Sequence, residues 1–224
     1  MKFLVISDLH GASEKLDLLK DKFDVVDAVL FAGDFTRFGQ SETGIPALEK
    51  LCKMHDVIFS VIGNCDNPEF IDEIEKRDIC VQKQLVNHEG LFFAGSGGGS
   101  KFDGSTPNER TDEELYSDLK IITDQGEGEW DNLIVLMHNP PKDTDCDKIT
   151  AGIHVGSPLL KEFIEKYKPL AVVTGHIHES KAICKVGNTT VINPGALMEG
   201  NYALMECKKI NGKWSVESAE LYTL

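Results

Sequence analysis

Short, wholly apolar runs alternate through the first half of the chain with longer stretches whose apolar residues recur every three or four positions. Residues 3–6, 28–32 and 57–62 are the runs, and their lack of charge suits strands covered on both faces. Residues 13–22 place Leu16 and Leu19, with Phe23 just beyond, at helical spacing. Residues 43–54 do the same with Ile45, Leu48 and Leu51, and residues 69–76 make a third helix-like stretch. Strand, helix, strand at this spacing predicts a parallel α/β sheet. The rhythm returns with a strand at Leu133–Met137, a helix at Pro158–Tyr167 and a strand at 170–174.

After that the pattern changes. Ala182–Val186 and residues 189–192, 202–207 and 214–221 are strand-like and joined by short turns. Gly187-Asn188 and Asn211-Gly212 are hairpin dipeptides. The tail is therefore predicted to be an antiparallel meander that forms a second sheet packed on the first. No linker or low-complexity run divides the chain, so residues 1–224 read as a single domain of two sheets with helices outside. One stretch breaks the rhythm. Residues 95–110 hold Gly95, Gly97, Gly98, Gly99, Gly104 and Pro107, a composition that predicts a lid or binding loop. The helix predicted after it, 112–123, has Thr111 as N-cap and Glu114 to complete a capping box.

Composition narrows the function. A chain of 224 residues buries enough surface to fold without staples. Cysteines at 52, 65, 80, 146, 184 and 207 contain no C-x-x-C pair, which predicts reduced thiols in a cytoplasm rather than a disulfide framework or a thiolate zinc knot. Asp and Glu outnumber Lys and Arg by 37 to 23, a net charge of −14 that repels phosphate backbones and argues against non-specific nucleic-acid binding. The apolar runs fall far short of the roughly 18 residues of a membrane span. The start, Met-Lys-Phe-Leu-Val-Ile-Ser-Asp, reaches an acid after four apolar residues and does not read as a signal peptide.

Chemistry-bearing residues follow the predicted strands one after another. Asp8 and His10 follow the first as D-x-H, Gly33-Asp34 the second, and Gly63-Asn64-Cys65-Asp66 the third. His138 follows Leu133–Met137, and Gly175-His176-Ile177-His178 follows 170–174. In a parallel sheet such ends share one edge, outside which ligands bind. Each piece alone is weak; the ordered set is specific. It resembles the calcineurin-like metallophosphoesterase superfamily, over a span from Asp8 to Asn193-Pro194-Gly195.

The resemblance implies a four-layer α/β/β/α sandwich of two mixed sheets flanked by helices, with a dinuclear metal centre. Carried over residue by residue, Asp8, His10 and His178 hold one metal, Asn64, His138 and His176 hold the other, and Asp34 bridges them. The two histidines of G-H-x-H serve different metals only if the backbone turns between them. Imidazole and carboxylate suit divalent Mn, Fe, Zn, Ni or Co. The implied activity is phosphoester hydrolysis, phosphodiesters first, through a metal-bridging hydroxide. Asp34, Asn64 and His138 are then the expected catalytic groups. Two divalent ions, two aspartates and a hydroxide leave one net positive charge, which a phosphodiester monoanion neutralises. A monoester dianion requires a further cation, and Arg37 is the nearest in sequence.

Cys65 departs from the family pattern. Many members read G-N-H-[DE], with the histidine as leaving-group acid. A thiol of pKa about 8.5 replaces it poorly at neutral pH, yet the chain resembles in this the phosphodiesterase-type members that also carry Cys in the G-N-x-D motif, so the change need not abolish hydrolysis. Asp66 loses its presumed partner and receives no catalytic role. With Asn64, Arg37 and His154 are the expected substrate contacts, His154 lying in a turn before a helix. His55 and His88 read as structural. The Asn193-Pro194-Gly195 turn is expected to work through its backbone. Two other readings stand beside the leading one. A non-catalytic scaffold subunit is opposed by the filled ligand set, and a phosphomonoesterase, including a protein phosphatase, is opposed moderately by Cys65. The expected partner is a small phosphoester, with no membrane; self-association is left open.

Overall fold

The structure is a computed structural model and describes residues 1–126, 128 and 130–224. Its first sheet contains β1 (Lys2–Ile6), β2 (Ala28–Phe31), β3 (Ile58–Ser60), β12 (Asn201–Ile210) and β13 (Lys213–Thr223), in the order β13-β12-β1-β2-β3. The second contains β4 (Val86–His88), β5 (Leu91–Ser96), β8 (Leu133–Met137), β9 (Ala171–Val173), β10 (Ala182–Val186) and β11 (Thr189–Asn193), in the order β10-β11-β9-β8-β5-β4. A small ribbon pairs β6 (Gly99–Ser100) with β7 (Glu109–Arg110). Both large sheets are mixed. β1, β2 and β3 run parallel, as do β5, β8, β9 and β11, while β12, β13, β4 and β10 pair antiparallel with their neighbours.

The alternation of side chains across each strand builds the layers. Leu4 and Ile6 of β1 join an outer cluster with Leu48 and Leu51, while Phe3 and Val5 face Phe93, Ile134 and Leu136 between the sheets. On β8 the division recurs: Ile134 and Leu136 point between the sheets, and Leu133, Val135 and Met137 point to a third cluster with Leu160 and Phe163. The first sheet is covered by α1 (Glu14–Asp17), α2 (Lys20–Phe23), α3 (Ser41–Met54) and α4 (Ile71–Glu75). The second is covered by α5 (Asp112–Ser117), α6 (Lys120–Thr123) and α7 (Pro158–Tyr167). The result is the expected α/β/β/α sandwich. Burying a Leu or Phe side chain fully contributes about 1.5–3 kcal/mol, so the continuous apolar runs dominate the stability.

Three expectations need correction. The tail does not make a sheet of its own. β10 and β11 extend the second sheet, and Leu197–Glu199 leads into β12, which pairs with β1 in the first (Phe3 opposite Met205, Val5 opposite Ala203). Hairpin dipeptides fix which consecutive strands are adjacent, not which sheet a hairpin joins. The strand-end residues likewise come from two sheets rather than one edge. Finally, the glycine-rich segment begins inside a strand. Gly95 lies in β5, where a Cβ would sit 2.4 Å from Val61 Cγ1, so the glycine marks close packing between sheets and not a loop. Only residues 97–98 and the stretch between β6 and β7 lie outside strands. The helices predicted at 13–22 and 112–123 are each broken into two short pieces, and the capping box at Thr111 and Glu114 forms as read.

Candidate metal centre

The C-terminal ends of β1, β2 and β3 meet those of β8 and β9 across the space between the sheets. His138 Nε2 lies 2.8 Å from Asn64 Oδ1, His10 Nε2 lies 3.4 Å from His178 Nε2, and the backbone N–H of His176 donates to Asp8 Oδ1 at 3.1 Å. Each contact joins one sheet to the other. Asp34 Oδ2 sits between the two halves, 3.6 Å from His10 Nε2 and 3.5 Å from His138 Nε2. Asp8 Oδ1 is 3.4 Å from His178 Nε2 and 4.0 Å from His10 Nε2. The His176 ring stands beside that of His138, with centroids 5.4 Å apart. Asp8, His10, Asp34, Asn64 and His138 are all buried; His178 reaches solvent.

Strained backbone delivers these side chains. Asp8, His10, Asp34 and His176 all hold left-handed φ values of 46–68°, a region that costs a non-glycine residue energy and persists where the surroundings enforce it. At His176 the left-handed turn separates the two histidines of G-H-x-H, which a continued strand would not do in this way. Gly63 allows a close approach: a Cβ there would lie 2.0 Å from Asp34 Oδ1.

The donors are aimed by their other atoms. A carbonyl oxygen only accepts, so the His138 Nδ1–H donates to Ala32 O (2.7 Å) and the His10 Nδ1–H to Thr36 O (3.2 Å). Both rings thereby turn Nε2 inward, the arrangement by which ligating histidines are usually oriented. His178 presents Nδ1 to Glu199 Oε1 at 3.7 Å. Cys65 N–H donates to Asp34 Oδ1 (2.7 Å), leaving Oδ2 for the centre. Around His138 Nε2 the facing atoms are acceptors, Asn64 Oδ1 and Asp34 Oδ2, so the space between them calls for positive charge. In the chain alone a second proton on His138 supplies it. Burial opposes that proton, but Asp34 outweighs burial and holds the imidazole up at about 9. A divalent cation meets the same demand, and the set of oxygen and imidazole donors fits one. Burial raises the Asp8 and Asp34 carboxyls, and their histidine neighbours overcome it, so both sit below the usual carboxylate range. Burial and the charge of His138 press His176 down to about 4, its neutral, ligating form.

Asp66 is a residue that sequence reasoning set aside. It is fully buried, and its carboxylate accepts the N–H groups of Gly63 (2.8 Å), Asp34 (3.0 Å), Phe35 (3.2 Å) and Thr36 (2.8 Å). One side chain thus ties the Asp34 turn to the Asn64 turn; its place beside Asn64 was the only sequence signal. Asn108 braces the same turn, its amide donating to Gly63 O at 2.9 Å. The Asn193-Pro194-Gly195 turn leads to Leu197 and Met198, whose N–H groups donate to Ser7 O and Asp8 O.

The remaining expected contacts divide. Asn64 and His176 line a cavity of about 310 Å³ with Ser100, Lys101, Phe102, Ile149, Val155 and Ile177 among its walls. The loop between β6 and β7 therefore does wall the cavity, and Glu109 shapes it by accepting from Phe102 N–H (2.8 Å) and Gly104 N–H (3.0 Å). His154 is not in that wall. Its Nδ1 pairs with Asp147 Oδ1 at 2.7 Å, and it lines a separate cavity beside Cys184. Arg37 is exposed on the turn after Asp34, where its backbone N–H bonds Thr43 Oγ1. His55 is held by backbone through Val57 O and Val26 O, as a structural histidine would be.

The sequence profile of the calcineurin-like phosphoesterase family matches residues 1–180. The chain belongs to this family. An uncharacterized protein of Methanocaldococcus jannaschii is 37% identical over 201 residues, covering 87% of this chain and 88% of its own length. The fold of this calcineurin-like phosphoesterase is shared by a Thermus thermophilus protein (TM-score 0.71, 20% identity, 99% of this chain and 98% of that one). It is shared also by a dimetal phosphatase of Danio rerio (TM-score 0.61, 12% identity, 100% and 98%). The family consists of phosphoester hydrolases that bind divalent metals. Among the described residues no helix is long and apolar enough to cross a membrane.

Proposed function

We propose that this phosphoesterase hydrolyses phosphodiester bonds at a dinuclear centre held by Asp8, His10, Asp34, Asn64, His138, His176 and His178. The observation that carries the reading is the position of Asp34 Oδ2, within 3.6 Å of His10 on one side and 3.5 Å of His138 on the other, so that one carboxylate serves two donor clusters. A bound pair of divalent cations supplies Lewis-acid polarisation of a phosphoryl oxygen and an acidified water. The chain's own residues do the rest. Asp8 and Asp34 balance only part of the cationic charge, which leaves a local attraction for an anion inside a protein of net charge −14. Asn64 stands on both the donor cluster and the cavity wall, where it orients a phosphoryl group against the apolar surface of Ile149, Val155 and Ile177. The position after Asn64 in the chain is Cys65 rather than a histidine, and burial with the Asp34 carboxylate pushes its thiol far up, so Cys65 is neither a ready proton donor nor a thiolate. Substrates whose leaving group departs as a stable anion suit such a site.

Phosphomonoester hydrolysis is the second reading, favoured by Lys101, a cation in the wall of the same cavity. The deciding experiment is a panel of aryl and alkyl mono- and diesters assayed with Mn, Co, Ni, Zn and Mg, alongside metal analysis of the purified protein. The proposal expects two metal ions per chain and the highest kcat/KM on an aryl diester. One ion per chain, or a higher kcat/KM on monoesters, overturns it.

A further inference from the structure

On the far side of the second sheet two cysteines face each other. Cys146 lies in the segment between β8 and α7, and Cys184 lies in β10, the edge strand of its sheet. Their sulfurs are 3.8 Å apart. Cys146 is fully buried in the cluster under α7, while Cys184 is half-buried and lines a cavity of about 470 Å³ with His154, Asp143, Asp145, Lys161, Glu165 and Lys185. The pair is asymmetric. The sulfur–sulfur contact, in which either thiol can donate, pulls the half-buried Cys184 down to about 7, and the same contact together with burial drives Cys146 far up. The two titrate as a unit, with the negative charge on the sulfur that reaches the cavity. None of the residues assigned to the metal centre takes part.

We propose that Cys146 and Cys184 form a redox-active dithiol whose substrate is a low-molecular-weight disulfide entering the cavity beside His154. The Cys184 thiolate attacks one sulfur of the disulfide, forming a mixed disulfide and releasing one thiolate. Cys146 then loses its proton and attacks Cys184 Sγ. That step forms the Cys146–Cys184 bond and breaks the mixed disulfide, and the second thiolate leaves. The two thiolates take up the two protons that the cysteines lost. The protein pair is oxidised by two electrons, and the small disulfide is reduced to two thiols. Closing to a bond of about 2.05 Å requires the sulfurs to approach by somewhat under 2 Å. An edge strand facing an irregular segment gives that movement. Asn193 connects the pair to the metal centre: its amide donates to Cys146 O at 3.4 Å and to Ile177 O at 2.9 Å, and Ile177 lies between His176 and His178.

The test treats the full-length reduced protein with oxidised glutathione under anaerobic conditions, followed by intact mass and peptide mapping of alkylated samples. The expected result is transient addition of one glutathione at Cys184, then a product about 2 Da lighter than the reduced chain, with residues 146 and 184 linked. In Cys146→Ser the adduct at Cys184 persists, and in Cys184→Ser neither adduct nor linked product forms at Cys146. Closing a loop of this length raises Tm by about 5 °C or more in the oxidised wild type, an effect reversed by dithiothreitol. If the first adduct forms at Cys52, or glutathione stays on Cys184 in the wild type, or disulfide-linked dimers replace the intrachain product, the proposal fails. All of these readouts are independent of phosphoesterase activity.

Discussion

Single atoms set the chemistry of the centre. Asp34 divides its two oxygens, Oδ1 taking the Cys65 N–H and Oδ2 facing His10 and His138. Asp34→Ala is expected to lose both metal binding and hydrolysis, read by metal analysis and by kcat/KM on an aryl diester. Retention of two ions per chain contradicts the bridging role. Asp66 acts by holding the backbone of the two turns that carry Asp34 and Asn64. Asp66→Ala leaves the four N–H groups it accepts without their acceptor, and each buried unsatisfied group costs about 1–3 kcal/mol. Urea unfolding of the metal-free protein is expected to show a loss of at least about 2 kcal/mol, and an unchanged midpoint removes the argument. At Cys65 the thiol is buried beside a carboxylate and stays protonated. Cys65→Ala should keep aryl diester hydrolysis within about tenfold, whereas Cys65→His should raise alkyl ester hydrolysis more, since general acid help is worth about 10²–10⁴-fold.

Elements determine what reaches the centre. The loop between β6 and β7 is closed around Glu109, so Glu109→Ala releases the Phe102 and Gly104 N–H groups and loosens the cavity wall. KM is expected to rise severalfold with metal content unchanged; a fall in bound metal instead would place Glu109 in the support of the centre. The segment between β8 and α7 is held by Asp147, which accepts from His154 Nδ1 (2.7 Å), Thr144 N–H (2.8 Å) and Gly156 N–H (2.9 Å). Burial raises the Asp147 carboxyl, but these bonds outweigh it and hold it below the usual carboxylate range. A carboxyl depressed in the folded state stabilises above its unfolded value of about 3.9, and that contribution is lost as pH falls through the folded value. The Tm difference between wild type and Asp147→Asn should therefore shrink as pH falls below 4. A difference independent of pH down to 3 excludes this linkage.

At the scale of the molecule, the candidate ligands come from both sheets, so bound metal clasps one sheet to the other. Metal is therefore expected to stabilise the whole fold, by about 2.7 kcal/mol at a hundredfold excess over Kd, or several degrees in Tm, and chelation should reverse it. Asp34→Ala should lose most of this shift. The architecture was largely legible beforehand because its signals are local. The unbroken apolar runs at β1, β2 and β8 announce strands covered on both faces, and D-x-H, G-D and His138 mark where those three strands stop. β5 escaped because Gly95, needed for close packing against Val61, carries the composition of a loop.

By itself the sequence determined most of the strands of the two large sheets, the order of chemical groups along the chain and the family they resemble, since hydrophobic period and motif spacing are properties of neighbouring residues. Only the tertiary structure decided that β12 and β13 return to the first sheet, because strand partners depend on complementary faces far apart in the chain: Phe3 against Met205, Val5 against Ala203. Only it placed His154 against Asp147 and outside the cavity beside Asn64. It alone turned Asp66 from a residue without a partner into the acceptor of four backbone N–H groups from two turns, because a buried carboxylate's role is set by which donors folding brings to it.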